Sequence, residues 1–392
     1  AYARAERDKL WRQAWLQAGR IEEIPEVGNF LTYEILDDSI IVVRTAPDTI
    51  RAHFNVCPHR GRRLVDTPPG AHHACGQKRQ FVCGFHGWRY DLSGECTHVV
   101  ERADWKGRLT VQNTHLAEVK VDTWGGWIWI NMDPQSEPLR QWLEPAASML
   151  DPFQLQNMRY RWRRWLICDC NWKVALEAFN ESYHVPATHP EFMKFGEFKG
   201  WSRVQGRHSN IGFDAPKGMD ENKAKVRIGA GADTRLSTAE MQVFTWENAN
   251  TSTTQTLVSA ALRLKDELPE GTPPEKVLKH WLESARRDDE ARGVIWPTID
   301  PAQVGESGTA WQIFPNFQIG HGLNNALCYS ARPYGYDPNK CIFEAAVYEL
   351  FPKGQEPKYR QTLALWSTIQ GGNRALDIPP NSVVVTQNFH VL

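Results

Sequence analysis

The chain predicts an α+β protein with an all-β N-terminal domain over residues 1–137 and an antiparallel-sheet domain over residues 138–392. Three observations carry this. Short alternating β segments crowd the first third, with Cys and His in the loops between them. Apart from a short segment at 5–17, helical periodicity comes later, over 138–150 and around 171–181 and 274–292. Long β-rich segments return after residue 310.

Residues 5–17 (AERDKLWRQAWLQ) carry helical spacing. Three strands follow over 29–56, NFLTYEIL, SIIVVRTA and TIRAHFNV, with Asp37-Asp38 and Pro47-Asp48 as turn chemistry. A loop rich in Pro, Gly and His spans 66–80, and β structure returns over 108–132, ending in WGGWIWIN. PLRQWLEPAASML (138–150) reads as a helical linker and RYRWRRWLI (159–167) as a strand. Asn171 to Glu181 has helical character, with Asn171 as N-cap. Residues 274–292 form a charged helix whose inner face carries Val277, Leu278 and Trp281. Three strands are expected around WQIFPNFQIG, ALCYSARPYG and CIFEAAVYELF. Asn381 to Leu392 reads as the start of a helix cut short.

Acidic and basic side chains number 46 and 45, for a net charge of -1. That balance excludes a strongly basic nucleic-acid binder and an acidic disordered tail. No run is long and apolar enough for a transmembrane helix, no leader segment opens the chain, and a cytoplasmic location is the expectation. Seventeen Trp and 16 Phe point to aromatic cores or apolar pockets. The eight cysteines read as thiols or metal ligands rather than a disulfide framework.

Two of them sit in matched settings, Cys57-Pro58-His59 and Cys83-Gly84-Phe85-His86, with Gly61, Gly84 and Gly87 alongside. A [2Fe–2S] cluster with two thiolates on one iron and two imidazoles on the other needs two loops, each giving one Cys and one His. Zinc also accepts two Cys and two His, but its knuckles usually segregate them, whereas each loop here mixes them. Cys96-Thr97-His98 is a second C-x-H and reads as a decoy; Cys75, His72 and His73 read as surface loop residues.

The second constellation lies in NWKVALEAFNESYHVPATHP (171–190). Glu177, Glu181 and His184 fall at i, i+4 and i+7 and share one helical face. His184 and His189 would diverge on a continuous helix, but Pro186 and Pro190 predict a break near Val185 that returns His189 to His184. Two His and a carboxylate on one face of iron leave positions open for O2 and substrate. The bland reading of this segment is a charged helix face with two satisfied histidines.

CPHRG (57–61) with CGFHGW (83–88), and NWK…E…F…E-x-Y-H-x4-H, resemble the motifs of the Rieske non-haem iron oxygenases, large (α) subunits, the aromatic ring-hydroxylating family. The resemblance implies a Rieske domain followed by a helix-grip (START-like) catalytic domain. It implies Cys57, His59, Cys83 and His86 as cluster ligands, and His184 and His189 as ligands of a mononuclear Fe(II). Glu181 stands at the position of the carboxylate that bridges to a Rieske histidine of a neighbouring subunit, where many members have Asp. The family's third iron ligand is a carboxylate in the C-terminal helix. The matching stretch is Thr386-Gln387-Asn388-Phe389, so the position is Asn388, an amide, with Asp377 as the nearest alternative carboxylate. The chain reads as truncated in that helix.

The resemblance further implies a terminal oxygenase using O2 and electrons from an NAD(P)H reductase or ferredoxin, because no Gly-rich dinucleotide motif follows a strand here. It implies an α3 or α3β3 ring acting in aromatic hydrocarbon catabolism. Arg60, Arg62, Arg63, Lys78 and Arg79 form a basic patch for an acidic ferredoxin or a plain solvated face. Candidate pocket residues are Phe192, Met193, Phe195, Phe198, Trp201, Trp311, Phe314 and Phe317, with His321 and Asn324 as polar contacts. Ring hydroxylation of a hydrophobic compound stands beside monooxygenation or oxidative N- or O-demethylation. Two other classes stay open: an electron-transfer Rieske protein without oxygenase activity, and a zinc-stapled module storing a lipid or steroid.

Overall fold

The computed structural model describes residues 2–213, 225–228 and 233–357. It divides into two compact units, residues 1–143 with 332–342, and residues 144–331 with those from 343 onward.

The first unit opens with a helical segment, Tyr2–Glu6 continuing as a wider turn over Arg7–Trp11. The helix expected over 5–17 thus ends early, and Leu16–Arg20 becomes strand β1. All five residues of β1 are buried, so both of its faces are covered and it lacks the alternation of a half-exposed strand. The three expected strands form as β2 Asn29–Ile35, β3 Asp38–Ala46 and β4 Thr49–Phe54. Then come β5 Cys75–Gln77, β6 Phe81–Val82, β7 Arg89–Tyr90, β8 Cys96–His98, β9 Glu118–Trp124 and β10 Trp127–Asn131. Seven of them make one sheet in the order β1-β10-β9-β4-β3-β2-β5, and β6, β7 and β8 make a small second sheet. Ile41, Val43, Phe81, Trp88 and Tyr90 form a core that also contains Cys57 and Cys83.

In the second unit, strand β11 spans Arg159–Cys168. Short β12 Gly196–Lys199 pairs with β15 Lys225–Ile228, on either side of β13 Trp201–Gln205 and β14 His208–Gly212 in sequence. The late strands are β16 Ala310–Ile313, β17 Phe317–His321, β18 Asn325–Pro333 and β19 Cys341–Glu349. The main sheet runs β11-β19-β18-β17-β16-β14-β13. WQIFPNFQIG, expected as one strand, is a hairpin, because Pro315 and Asn316 turn the chain between β16 and β17. The charged helix forms over Pro274–Ala291. Helices Thr234–Phe244 and Gln255–Glu267, not anticipated, accompany it. Both begin at a capping side chain: Asp233 accepts from the Arg235 N–H and Thr254 from the Leu257 N–H. Among the described residues no helix is long and apolar enough to cross a membrane.

Candidate cluster and iron sites, and a cavity in the second unit

The two Cys-His loops adopt one backbone design twice. The Cys57 N–H donates to the Arg62 carbonyl at 2.8 Å, and the Gly61 N–H donates back to the Cys57 carbonyl at 2.9 Å. In the second loop the Cys83 N–H donates to the Trp88 carbonyl at 2.8 Å, and the Gly87 N–H to the Cys83 carbonyl at 3.0 Å. Each turn closes through a glycine in the left-handed region, Gly61 at φ 74° and Gly87 at φ 71°. A Cβ on Gly61 would meet nothing within 4 Å, so backbone conformation rather than space selects glycine there.

The design sorts the donors by burial. Cys57 and Cys83 are 1% and 3% exposed, whereas His86 is exposed and His59 half-buried. The two imidazoles stand 4.7 Å apart between ring centroids, and His59 stacks on Trp88 at 4.9 Å. The Cys57 sulfur lies 2.9 Å from the Tyr90 hydroxyl. Burial pushes the Cys57 thiol up, and the Tyr90 contact works against that. Burial, the neighbouring His86 and Arg60 together push His59 below the usual imidazole range, toward the neutral form that ligates metals.

No three of these four donors lie within 4.8 Å of one another. A single tetrahedral zinc with bonds of about 2.0–2.3 Å needs them closer than that. Two buried thiols and two outward imidazoles on separate loops fit a binuclear cluster.

Cys96 is not part of this set. It lies in β8, paired with Tyr90 of β7, and its Sγ donates to the His98 carbonyl at 3.7 Å. Cys75 is exposed on β5 as expected. His72 and His73, read from sequence as surface residues, are buried instead. The Arg332 guanidinium donates to His72 Nδ1 at 2.7 Å, and His73 lies against His72. The basic patch is partly neutralised: Arg62 pairs with Asp66 and Arg63 with Glu34. Arg60 lies over the Phe85 ring.

In the second constellation Asn171 caps the helix as expected, accepting from the Lys173 N–H at 3.1 Å. The helix then stops at Glu177, so Glu177, Glu181 and His184 do not share a helical face. A separate one-turn helix, Val185–Thr188, starts where a break was expected, with His184 and His189 at its two ends. The result for the histidines is the expected one: their ring centroids lie 5.5 Å apart.

Glu181 is folded back onto His184. Its carboxylate takes the His184 Nδ1 contact at 2.5 Å, the His184 N–H at 3.1 Å, and the Tyr183 N–H. Burial pushes Glu181 up, but these donors win and hold it below the usual carboxylate range. A carboxylate on Nδ1 fixes the tautomer and leaves Nε2 for a metal. Asn388 and Asp377 lie outside the described residues.

A cavity of about 570 Å³ lies in the second unit against the main sheet. Its floor follows the two-residue period of the strands: Ala310 on β16, Gln318 and Gly320 on β17, and Asn325, Leu327 and Tyr329 on β18. Phe179, Trp281 and Trp296 supply other walls. Phe179 stacks on Tyr329 at 3.9 Å, and its carbonyl accepts from the Gln318 side chain at 2.9 Å. The cavity is thereby tied to the segment that leads to His184.

His321 and Asn324 line this cavity as expected, but Phe192, Met193, Phe195, Trp201, Trp311, Phe314 and Phe317, proposed from sequence, do not. Trp311 and Phe317 point to the opposite, fully packed sheet face, and Phe195 and Trp201 are buried elsewhere. Phe314 and Met193 are exposed. Phe192 packs against His189 and Phe244, and the Phe198 side chain is outside what is described. Burial pushes His321 down to about 4, so its imidazole is neutral at pH 7. Asn324 is not free for a ligand, because it donates to Thr254 and to buried Asp289. The signal that would have found Tyr329 was the strand parity itself.

Comparison with known proteins agrees with this geometry. Residues 14–113 match the Rieske [2Fe-2S] domain, and residues 139–368 match the ring hydroxylating alpha subunit (catalytic domain). The glycine betaine monooxygenase oxygenase subunit of Pseudomonas aeruginosa (strain UCBPP-PA14) is 29% identical over 186 residues, 47% of this chain and 42% of that protein. The carnitine monooxygenase oxygenase subunit of Escherichia coli (strain K12) is 26% identical over 231 residues, 58% of this chain and 59% of that protein. The chain thus spans roughly half the length of these curated relatives. Naphthalene 1,2-dioxygenase from Rhodococcus sp., solved with indole bound, shares the fold with a TM-score of 0.56 at 19% identity, covering 90% of this chain and 71% of that one. The catalytic-domain match alone extends over more than half of the sequence, and with the Cys-His loops it places this chain among the Rieske ring-hydroxylating oxygenase alpha subunits, whose cofactors are a [2Fe–2S] cluster and a mononuclear iron.

Proposed function

We propose that this chain is the terminal oxygenase component of a Rieske non-haem iron system. It takes electrons from an NAD(P)H reductase, directly or through a ferredoxin, and hydroxylates an aromatic or other hydrophobic small molecule with O2. The observation that carries the substrate class is the cavity wall: among the described residues it is rich in aromatics and contains no Asp, Glu, Lys or Arg.

In this reading Cys57, His59, Cys83 and His86 hold the cluster, and His184, His189 and the Asn388 position hold the iron. When bound, the cluster supplies single electrons and the iron supplies O2 activation. The rest falls to the side chains. Glu181 keeps a proton on Nδ1 of His184 and so orients the ring. The aromatic walls exclude water and position the substrate. Outward-facing His59 and His86 give electrons a way out of the first unit. The proposal includes a domain boundary at 137/138, a homotrimeric or α3β3 assembly, and a cytoplasmic setting.

A second reading, monooxygenation including oxidative N- or O-demethylation, is favoured by the curated relatives, which are a glycine betaine and a carnitine monooxygenase. The test is incubation of the iron-loaded chain with a reductase, NADH, O2 and paired substrates, naphthalene and L-carnitine, with products identified by mass. Oxygenated naphthalene supports the proposal. Turnover of carnitine alone replaces it with the second reading. Cluster reduction without any oxygenated product would make the chain an electron-transfer protein.

A further inference from the structure

Resting on the cavity as the substrate site, we infer that the substrate carries a hydrogen-bond acceptor, such as a carbonyl or ether oxygen, on its hydrophobic frame, and that the Tyr329 hydroxyl is the donor that selects it.

Tyr329 lies on β18, opposite Gln318 of β17. On this strand Ala326, Cys328 and Ser330 are buried, whereas Leu327 and Tyr329, which line the cavity, are only half-buried. The ring is held in place: Phe179 stacks on it at 3.9 Å and Phe343 lies 5.5 Å from it. The hydroxyl has no hydrogen-bond partner among the described residues. It is not sealed in, as the partnerless Gln318 Oε1 and both ring nitrogens of His321 are, and so it keeps accessible surface. Burial nonetheless pushes the phenol well above its ordinary range, so that surface opens on the cavity rather than on bulk water, and the group keeps its proton.

The other side-chain donors in the wall already have acceptors. The indole N–H of Trp281 donates to the Leu257 carbonyl and that of Trp296 to Asp289. The Gln318 amide donates to the Phe179 carbonyl, Asn324 to Thr254 and Asp289, and Asn325 to Asn324. Thr309 donates to the Ile211 carbonyl, and the Ser252 and Thr251 hydroxyls lie 3.5 Å apart. Among the described residues Tyr329 is thus the one reachable side-chain donor in the wall with no acceptor. A donor that has lost its water and gained no acceptor is costly, and a bound acceptor corrects it. A site built this way discriminates against analogues that leave the group unpaired.

The test is calorimetric binding to the full chain carrying cluster and iron, native and Tyr329→Phe. The probes are 2-acetylnaphthalene and 2-isopropenylnaphthalene, which have nearly the same shape and differ in one acceptor oxygen. Phe keeps the ring and its stack on Phe179, and no protein hydrogen bond is lost with the hydroxyl. In Tyr329→Phe the ratio of 2-acetylnaphthalene to 2-isopropenylnaphthalene affinity should fall by about tenfold, the order of one hydrogen bond, a comparison in which the solvation of each ligand cancels. The infrared carbonyl stretch of bound 2-acetylnaphthalene needs no variant, and in the native chain it should lie below its position in cyclohexane. An unchanged affinity ratio in Tyr329→Phe, or a stretch at its cyclohexane position, would overturn the acceptor requirement and leave the hydrophobic-substrate reading standing. Binding of L-carnitine with no binding of either naphthalene probe would overturn both.

Discussion

Replacing Tyr90 by Phe removes one hydroxyl from a fully buried ring and changes little else. That hydroxyl lies 2.9 Å from the Cys57 sulfur. Burial, and then the neighbouring Cys57, push the phenol well above its ordinary range, so Tyr90 keeps its proton and is the donor. Reduction adds an electron to the cluster that Cys57 is proposed to hold. A donor to a ligand sulfur therefore stabilises the reduced state more than the oxidised one, and removing it lowers the potential. A hydrogen bond to a charged acceptor contributes about 1.5–3 kcal/mol. If roughly half of that differs between the two redox states, the difference is about 1 kcal/mol. At about 59 mV per tenfold for one electron and about 1.4 kcal/mol per tenfold, the fall is about 40 mV. The assay is a redox titration followed by the EPR signal of the reduced cluster, on the native chain and on Tyr90→Phe. A potential unchanged within about 10 mV, or one that rises, would refute the bond or the ligand assignment.

Three further outcomes follow from the same geometry. Glu181→Gln keeps the size of the side chain but loses its charge against His184 Nδ1, and iron affinity or turnover should fall by about 10–100-fold with the cluster EPR signal unchanged. Gly87→Ala forces a Cβ into the left-handed region at φ 71°, costing about 1–2 kcal/mol, which thermal unfolding reports as a melting temperature lower by several degrees. His321 is held neutral with its pKa down at about 4. Between its unfolded value near 6.5 and that value, the unfolded chain binds the extra proton, so stability is full above about 6.5 and falls as the pH drops toward 4, by roughly 3 kcal/mol at most. Melting temperatures from pH 7 to pH 4 should fall less steeply in His321→Asn than in the native chain.

The cluster loops were legible because their chemistry is local. A Cys, a His two or three positions later and a glycine that closes the turn are all written within six residues. The turn bonds of Cys57 and Cys83 need nothing from distant parts of the chain. The iron histidines were legible for a different reason than their spacing suggested: a one-turn helix between them, rather than a broken long helix, brings His189 back. The pocket was the least legible part. Trp311 and Gln318 lie on neighbouring strands, yet one packs the core and the other faces the cavity. Which parity faces which side is decided by register with the neighbouring strands, not by any single segment. The burial of His72 was hidden in the same way, because its partner Arg332 is 260 residues away.

The central claim is that two Cys-His loops and the histidine turn hold different iron groups in one chain. The direct measurement is metal content with visible and EPR spectra of the reduced chain, as given and with Asn388→Asp. The account predicts a coloured protein, a [2Fe–2S] signal with nitrogen coupling from His59 and His86, and a further iron that responds to the change at Asn388. A colourless chain containing zinc and no cluster signal in either form would contradict it.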